Sequence, residues 1–172
     1  MKQRLVWLWT IVAWALVAPL AAAWAEEGAR GEGVPYARNL QKDGELAKQK
    51  NGVVLVMFSG EYCGYCERVL NEFLIPMSRN ADYQKKLVMR RVDNTGATTV
   101  KGFDGSVADH RQFTSEQGVN MVPTVMLFDT RGRLLAKPLV GLTTVDYYGY
   151  YLDQAIDQAL AKVRGGKAVT AN

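Results

Sequence analysis

Cysteine and histidine are scarce. The 172-residue chain holds two cysteines, Cys63 and Cys66, and one histidine, His110. A structural zinc site takes four ligands, and no second Cys/His pair exists to complete one. Lys and Arg form no run of five or more, and the net charge of +4 is modest, so a nucleic-acid interface is excluded as the main role. Internal repeats and low-complexity tracts are missing. No apolar run reaches the roughly 20 residues that span a bilayer as a helix. With 48% hydrophobic and 22% charged residues, the chain suits one globular domain with a real core.

The first 25 residues form a separate unit. Met1-Lys2-Gln3-Arg4 is a short basic start, Leu5 to Leu20 is almost wholly apolar, and Ala23-Trp24-Ala25 offers a small-x-small cleavage site before Glu26-Glu27. This is the layout of a secretory signal peptide. The rival reading, an uncleaved anchor, is disfavoured by the shortness of the run. Of the 21 Lys and Arg, only Lys2 and Arg4 lie in this unit, which leaves 19 basic against 17 acidic residues. The exported chain is near neutral, is expected to keep no stable membrane insertion, and sits where disulfides persist.

Residues 26–34, with three glycines, read as a flexible leader, residues 35–164 as the folded domain and 165–172 as a tail. Residues 36–50 suit a helix anchored by Leu40 and Leu46, weakened by Gly44. Val53 to Phe58 is short, unbroken and rich in valine, as in a strand buried on both faces. From Cys63, the residues Cys66, Val69, Leu70, Phe73, Leu74 and Met77 recur at helical steps, and Pro76 ends or kinks that helix. A short helix is expected over 80–86 and a strand over 87–93. Residues 94–107 form a long Gly/Thr-rich loop, and 109–117 a helix closed by Gly118. Strands over 124–128 and 134–140 follow, the second marked as a sheet edge by Pro138. The last helix, 145–162, carries Tyr148, Tyr151, Leu152, Ile156, Leu160 and Val163 on one side. Within its Tyr147-Tyr148-Gly149-Tyr150-Tyr151 cluster, two rings are expected on the sheet and two at the surface. His110 reads as a surface residue.

Chemistry concentrates in Cys63-Gly64-Tyr65-Cys66. The motif follows a buried strand and opens a helix, whose N-terminus carries unpaired N–H groups and partial positive charge. A thiolate at Cys63 is stabilised there, which lowers its pKa and raises its reactivity. Cys66 lies three residues on, on the same helix face, close enough to close or resolve a disulfide. Tyr65 stands between the sulfurs, where it can touch a substrate. A purely structural bridge is a poor alternative, because so short a loop constrains the unfolded chain least. A two-thiolate Cu(I) site, or a thiol-sensing regulator, remains open as a non-catalytic reading.

Val53 to Cys66, Val-Val-Leu-Val-Met-Phe-Ser-Gly-Glu-Tyr-Cys-Gly-Tyr-Cys, resembles the first strand and active-site turn of thioredoxin-fold proteins. Gly118 to Phe128, with Val122-Pro123-Thr124 before a strand, is similar to the family's second landmark. Gly132 and Gly141 fall where the family has glycines. The broken helix in 67–93 resembles the periplasmic thioredoxin-like thiol:disulfide oxidoreductases more than cytosolic thioredoxin.

The resemblance implies an α/β thioredoxin fold: a mixed four-stranded sheet flanked by helices, with strands 53–58 and 87–92 parallel and the last two antiparallel. It implies a cis Val122-Pro123 bond facing Cys63, where Val122 and Pro123 dock an extended client. It implies thiol–disulfide exchange in the periplasm with no cofactor and no metal, through Cys63 as attacking and Cys66 as resolving residue. Its partners are protein thiol or disulfide clients and an upstream redox partner. Two departures stand out. Met57 occupies the place where thioredoxin usually has a buried acid, leaving Glu61 or water to move a proton from Cys66. Gly64-Tyr65 is similar to the pair in bacterial periplasmic disulfide isomerases, although this chain has no room for their dimerisation domain.

Overall fold

Val53-Val54-Leu55-Val56-Met57-Phe58 has no polar side chain to turn toward water, so it can only be an inner strand. In the computed structural model, which describes residues 33–142 and 144–165, it is β1 (Val53–Ser59), buried along its whole length. Alternate side chains of a strand point to opposite faces. Val53, Leu55 and Met57 therefore enter one core with Val69, Leu74, Leu152 and Ile156. Val54, Val56 and Phe58 enter a second with Leu40, Ala47 and Phe113. Each fully buried aliphatic or aromatic side chain contributes about 1.5–3 kcal/mol, so this strand holds both layers of helices to the sheet.

Beside β1 lie β2 (Leu87–Asp93), parallel to it, and β5 (Thr124–Phe128), antiparallel. Next to β5 lies β6 (Leu139–Val140), antiparallel, giving the order β2-β1-β5-β6. The helices are α1 (Leu40–Gln49), α2 (Gly64–Arg68), α3 (Ile75–Arg79), α4 (Ala81–Gln84), α5 (His110–Glu116) and α6 (Val145–Val163). A mixed sheet between helices is the arrangement the resemblance implied.

Between α2 and α3, residues Val69–Leu74 form a π-helical turn. The Ile75 N–H reaches back five residues to the Leu70 carbonyl. Pro76 explains it: in a regular helix its ring would clash with the carbonyl four residues earlier, and the wider turn relieves that. Pro76 thus bends the helix and does not end it; the chain stays helical to Arg79.

Several expectations need correction. Leu46 is exposed; α1 buries Leu40, Asp43, Gly44 and Ala47 instead. Gly44 is there for packing, since a Cβ would lie 2.7 Å from the Thr130 carbonyl oxygen. The 94–107 loop contains a strand, β3 (Thr99–Lys101), that hairpins with β4 (Val107–Asp109). The turn between them closes when Asp104 Oδ1 accepts from the N–H and hydroxyl of Ser106. The strand expected over 134–140 shrinks to Leu139–Val140 plus one bridge, Leu134 to Phe128. Pro138 cannot donate to a ladder, and pairing resumes only after it.

Of the α6 tyrosines only Tyr148 is buried. Tyr147, Tyr150 and Tyr151 are exposed, and Val163 is partly so. The small residues Ala155 and Ala159 make up the packed face with Leu152, Ile156 and Leu160. The expected leader also ends too late: Val34 is buried in the core. Residues 35–37 lie along the outer edge of β2, through Ala37 N–H to Arg91 O and Arg91 N–H to Pro35 O, both 2.8 Å. The expected signal peptide of residues 1–25 and most of the tail lie outside the described residues.

His110 is the largest departure from expectation: it is fully buried. Its Nδ1 accepts from the Asp93 N–H at 3.2 Å, and its Nε2 lies 2.8 Å from the Ala37 carbonyl. Both ring nitrogens are satisfied in the neutral Nε2–H tautomer, which removes the usual penalty for burying an imidazole.

Candidate active site

β1 delivers the chain to one end of the sheet, and residues Gly60–Tyr62 turn it into α2. Gly60 permits a close approach there: a Cβ would lie 2.8 Å from Asn94 Oδ1 and 3.2 Å from Val122 Cγ2. Asn94 donates its N–H to the Ser59 carbonyl at 2.7 Å. Its buried Oδ1 has no hydrogen-bond partner. Tyr62 takes φ +56°, a left-handed conformation uncommon for a bulky residue. The residue is 97% exposed.

Cys63 is the N-cap of α2, and Cys66 lies one turn on. The two are joined by a disulfide with Cα atoms 5.2 Å apart. The Cys63 sulfur also accepts from the Cys66 N–H at 3.1 Å, so the orphan N–H groups of the helix start point at it. The two sulfurs differ in access: Cys63 is half-buried, and Cys66 is 2% exposed. Nothing lies within 4 Å of the space above Gly64, and Tyr65 is exposed. One face of the pair is therefore open to a macromolecule.

β5 runs antiparallel to β1, so Val122 and Pro123, just before it, reach the same end of the sheet. Phe58 pairs with Thr124, and the Val122 methyl approaches Gly60. The Val122–Pro123 peptide bond is cis. The Pro123 carbonyl accepts from Gly141 N–H at 2.7 Å. Among the described residues, Val122 makes no backbone hydrogen bond of its own.

Beneath the pair the surroundings are apolar. Met57 is fully buried in the same core as Cys66 and Val69. Glu61 is exposed on the turn. Tyr148 lies in that core too, its hydroxyl unpartnered and pushed far up by burial. Among the described residues, no group of three or more His, Cys, Asp or Glu side chains could hold a metal. The structure places the expected site residues Cys63, Tyr65, Cys66, Val122 and Pro123 at one end of the sheet. Sequence reasoning passed over Tyr62, Met121 and Val140, which are exposed and adjoin Cys63, Val122 and Gly141 in the chain. Their signal was adjacency: each lies within two residues of the cysteine motif, of Val122, or of the Gly141 that bonds Pro123.

The chain is similar to oxidised mitochondrial thioredoxin 3 of Saccharomyces cerevisiae, with 19% identity over 72% of this chain and 92% of that one, and a TM-score of 0.48. For oxidised thioredoxin O2 of Arabidopsis thaliana the values are 16%, 73%, 96% and 0.47. For the thioredoxin of Malassezia sympodialis they are 21%, 75%, 95% and 0.45. No curated protein matches the chain. The family model for a thioredoxin-like domain matches residues 40–163, most of the chain and all of the site. With the Cys63–Cys66 pair intact at its helix start, the chain belongs to the thioredoxin-like domain family and is a thiol:disulfide oxidoreductase.

Proposed function

We propose that the protein is exported to the periplasm and exchanges disulfides with protein clients there through Cys63 and Cys66. The observation that carries this reading is the unequal access of the two sulfurs at a helix N-cap. In the reducing direction, the Cys63 thiolate attacks a client disulfide, a mixed disulfide forms, and one client thiolate leaves. The Cys66 thiolate then attacks the Cys63 sulfur, closes the internal disulfide and releases the second client thiol. Two electrons pass to the client; in the oxidising direction the same steps run backward. Clients approach over the open face at Gly64, against Tyr62 and Tyr65, and Val122 offers unpaired backbone groups to an extended segment. Export is supported by the basic start, apolar run and Ala23-Trp24-Ala25 site.

Two measurements test this. Alkylation of the reduced protein at pH 6 is expected to label Cys63 first, and Cys66→Ser is expected to accumulate mixed disulfides with periplasmic proteins. Labelling of Cys66 first, or a Cys66→Ser variant that forms no adduct while Cys63 stays titratable, rejects the assignment. Insulin reduction beside Cu(I) titration separates the exchange enzyme from a copper carrier: tight copper binding without turnover identifies the carrier. Intact mass of the exported chain is expected to begin at Glu26.

A further inference from the structure

The end of the sheet away from the disulfide carries a cleft of about 650 Å³. Its walls come from the end of α1, the turn after β5 and the end of α6, and its cationic lining is Lys48, Arg131, Arg133 and Lys162. The only acid in that lining is Asp129. Its carboxylate is already spoken for: Oδ1 accepts from the N–H groups of Arg131 and Arg133, and Oδ2 from Arg133 Nε. Arg133 remains largely exposed, so that one bond leaves the rest of its guanidinium free. Lys162 bonds the Leu135 carbonyl, a neutral partner. Among the described residues, neither the Lys48 amine nor the Arg131 guanidinium has a hydrogen-bond or ion-pair partner.

The cleft walls are fixed. Gly44 closes α1 directly on the Thr130 backbone, and Lys48 lies four residues on, on the same face of α1. That sets Lys48 beside Arg131. Arg164 Nε bonds the Asn51 carbonyl and ties the end of α6 to the cleft rim. Lys50 and Lys86 add charge at the same pole, since Lys50 bonds the Gln84 carbonyl and Lys86 precedes β2, while Lys85 there is paired with Asp82. The cleft lining thus holds four cations against one acid whose carboxylate is already bonded. The redox end lies about 20 Å away along β1.

We infer that this cleft binds a small organic or inorganic anion bearing two or more phosphate or carboxylate charges. Concavity favours a discrete ligand over a flat surface. The apolar side chains of Leu134 and Val163 in the lining allow it a short carbon skeleton. The site is separate from Cys63 and Cys66, so its occupancy and exchange chemistry are separable.

The test is to titrate the isolated, disulfide-bonded protein with pyrophosphate and with citrate at constant ionic strength, following backbone amide signals. Saturable shifts at Asn51, Thr130 and Arg131, with none at Cys63 or Cys66, are expected. Lys48→Glu with Arg131→Glu is expected to weaken binding about tenfold or more, because two attractions become repulsions at short range. Lys48→Gln with Arg131→Gln, which removes charge without adding repulsion, should fall between. Insulin turnover should be unchanged in all. Shifts that do not saturate, or affinities that the charge variants leave unaltered, overturn the proposal. So does cosedimentation with phosphatidylglycerol vesicles without saturable binding of either small anion, which would make the pole a membrane-facing surface.

Discussion

Asp129 carries more of the turn after β5 than its size suggests. Burial alone would raise its carboxyl, but the Arg133 and Arg131 backbone N–H groups and the Arg133 guanidinium hold it below the usual range. A depressed native pKa stabilises the fold above the ordinary carboxylate value of about 3.9, and that contribution fades as pH falls through the native pKa. Asp129→Ala is therefore expected to lose about 1–3 kcal/mol at pH 7, with the difference shrinking as pH falls below the ordinary carboxylate value, as urea unfolding at pH 7 and at successively lower pH would show. Asp43 behaves oppositely. Burial pushes its carboxyl up, although Arg90 beside it opposes the rise. Arg90 Nε donates to Asp43 Oδ2 at 3.0 Å. Arg90→Met strands that charge, and a broken buried pair costs about 3–5 kcal/mol. Because a raised carboxyl takes up its proton sooner as pH falls, the deficit at pH 7 is expected to shrink at pH 5. A deficit that stays constant between the two would mean that lost packing of the arginine stem, not charge, is responsible.

At the level of elements, Gly44 decides how α1 sits. In an open helix Gly→Ala would stabilise by about 1 kcal/mol. Here the new methyl would meet the Thr130 backbone at 2.7 Å, and overpacking against a backbone costs typically 1–3 kcal/mol. Gly44→Ala is therefore expected to lower the melting temperature, and a rise would show that the turn yields freely. The same residue shows where sequence reading fails. Its cost to a helix is local and legible, whereas its reason lies 86 residues away in the chain. Elements with a strong own pattern, β1 and the helix from the cysteine motif, were legible because burial on both faces or on one stripe leaves a periodic trace. The β3–β4 hairpin was not, for each of its strands is three residues long and only Val100 among them is buried. Nor was the loss of ladder between Leu134 and Leu139, since Pro138 marks an edge but not how far pairing retreats from it. The placement of the cysteine pair and of Val122 and Pro123 at one end of the sheet was legible, because helix-start chemistry and the Val122-Pro123 landmark are both short-range signals. Tyr62 escaped because a left-handed φ has no signature in an aromatic residue.

On the scale of the molecule, a four-stranded sheet has two exposed edges, each a template for unwanted pairing. The β6 edge is short and follows Pro138. The β2 edge is longer and is covered by the chain's own residues 35–37, through the two backbone bonds with Arg91. The Arg91 guanidinium lies 4.2 Å from the centre of the Tyr36 ring, and the Lys101 N–H bonds the Arg38 carbonyl. His110 completes the clasp: it joins the Ala37 carbonyl to the Asp93 N–H, so one buried ring ties the strap to the end of β2. A chain beginning at Asn39 keeps the α1 cap and the whole redox site but loses this cover. It would leave His110 Nε2 without its partner and uncover the Arg91 N–H. At about 0.5–1.5 kcal/mol for each of four hydrogen bonds, the loss is expected to be about 3 kcal/mol or more. Thermal unfolding should show it, and light scattering should show association through the bare edge. His110→Ala in the full strap separates the two effects: it is expected to destabilise without association, since the backbone pairing with Arg91 remains. A truncated chain as stable and monomeric as the parent would mean that the strap lies on the sheet without holding it.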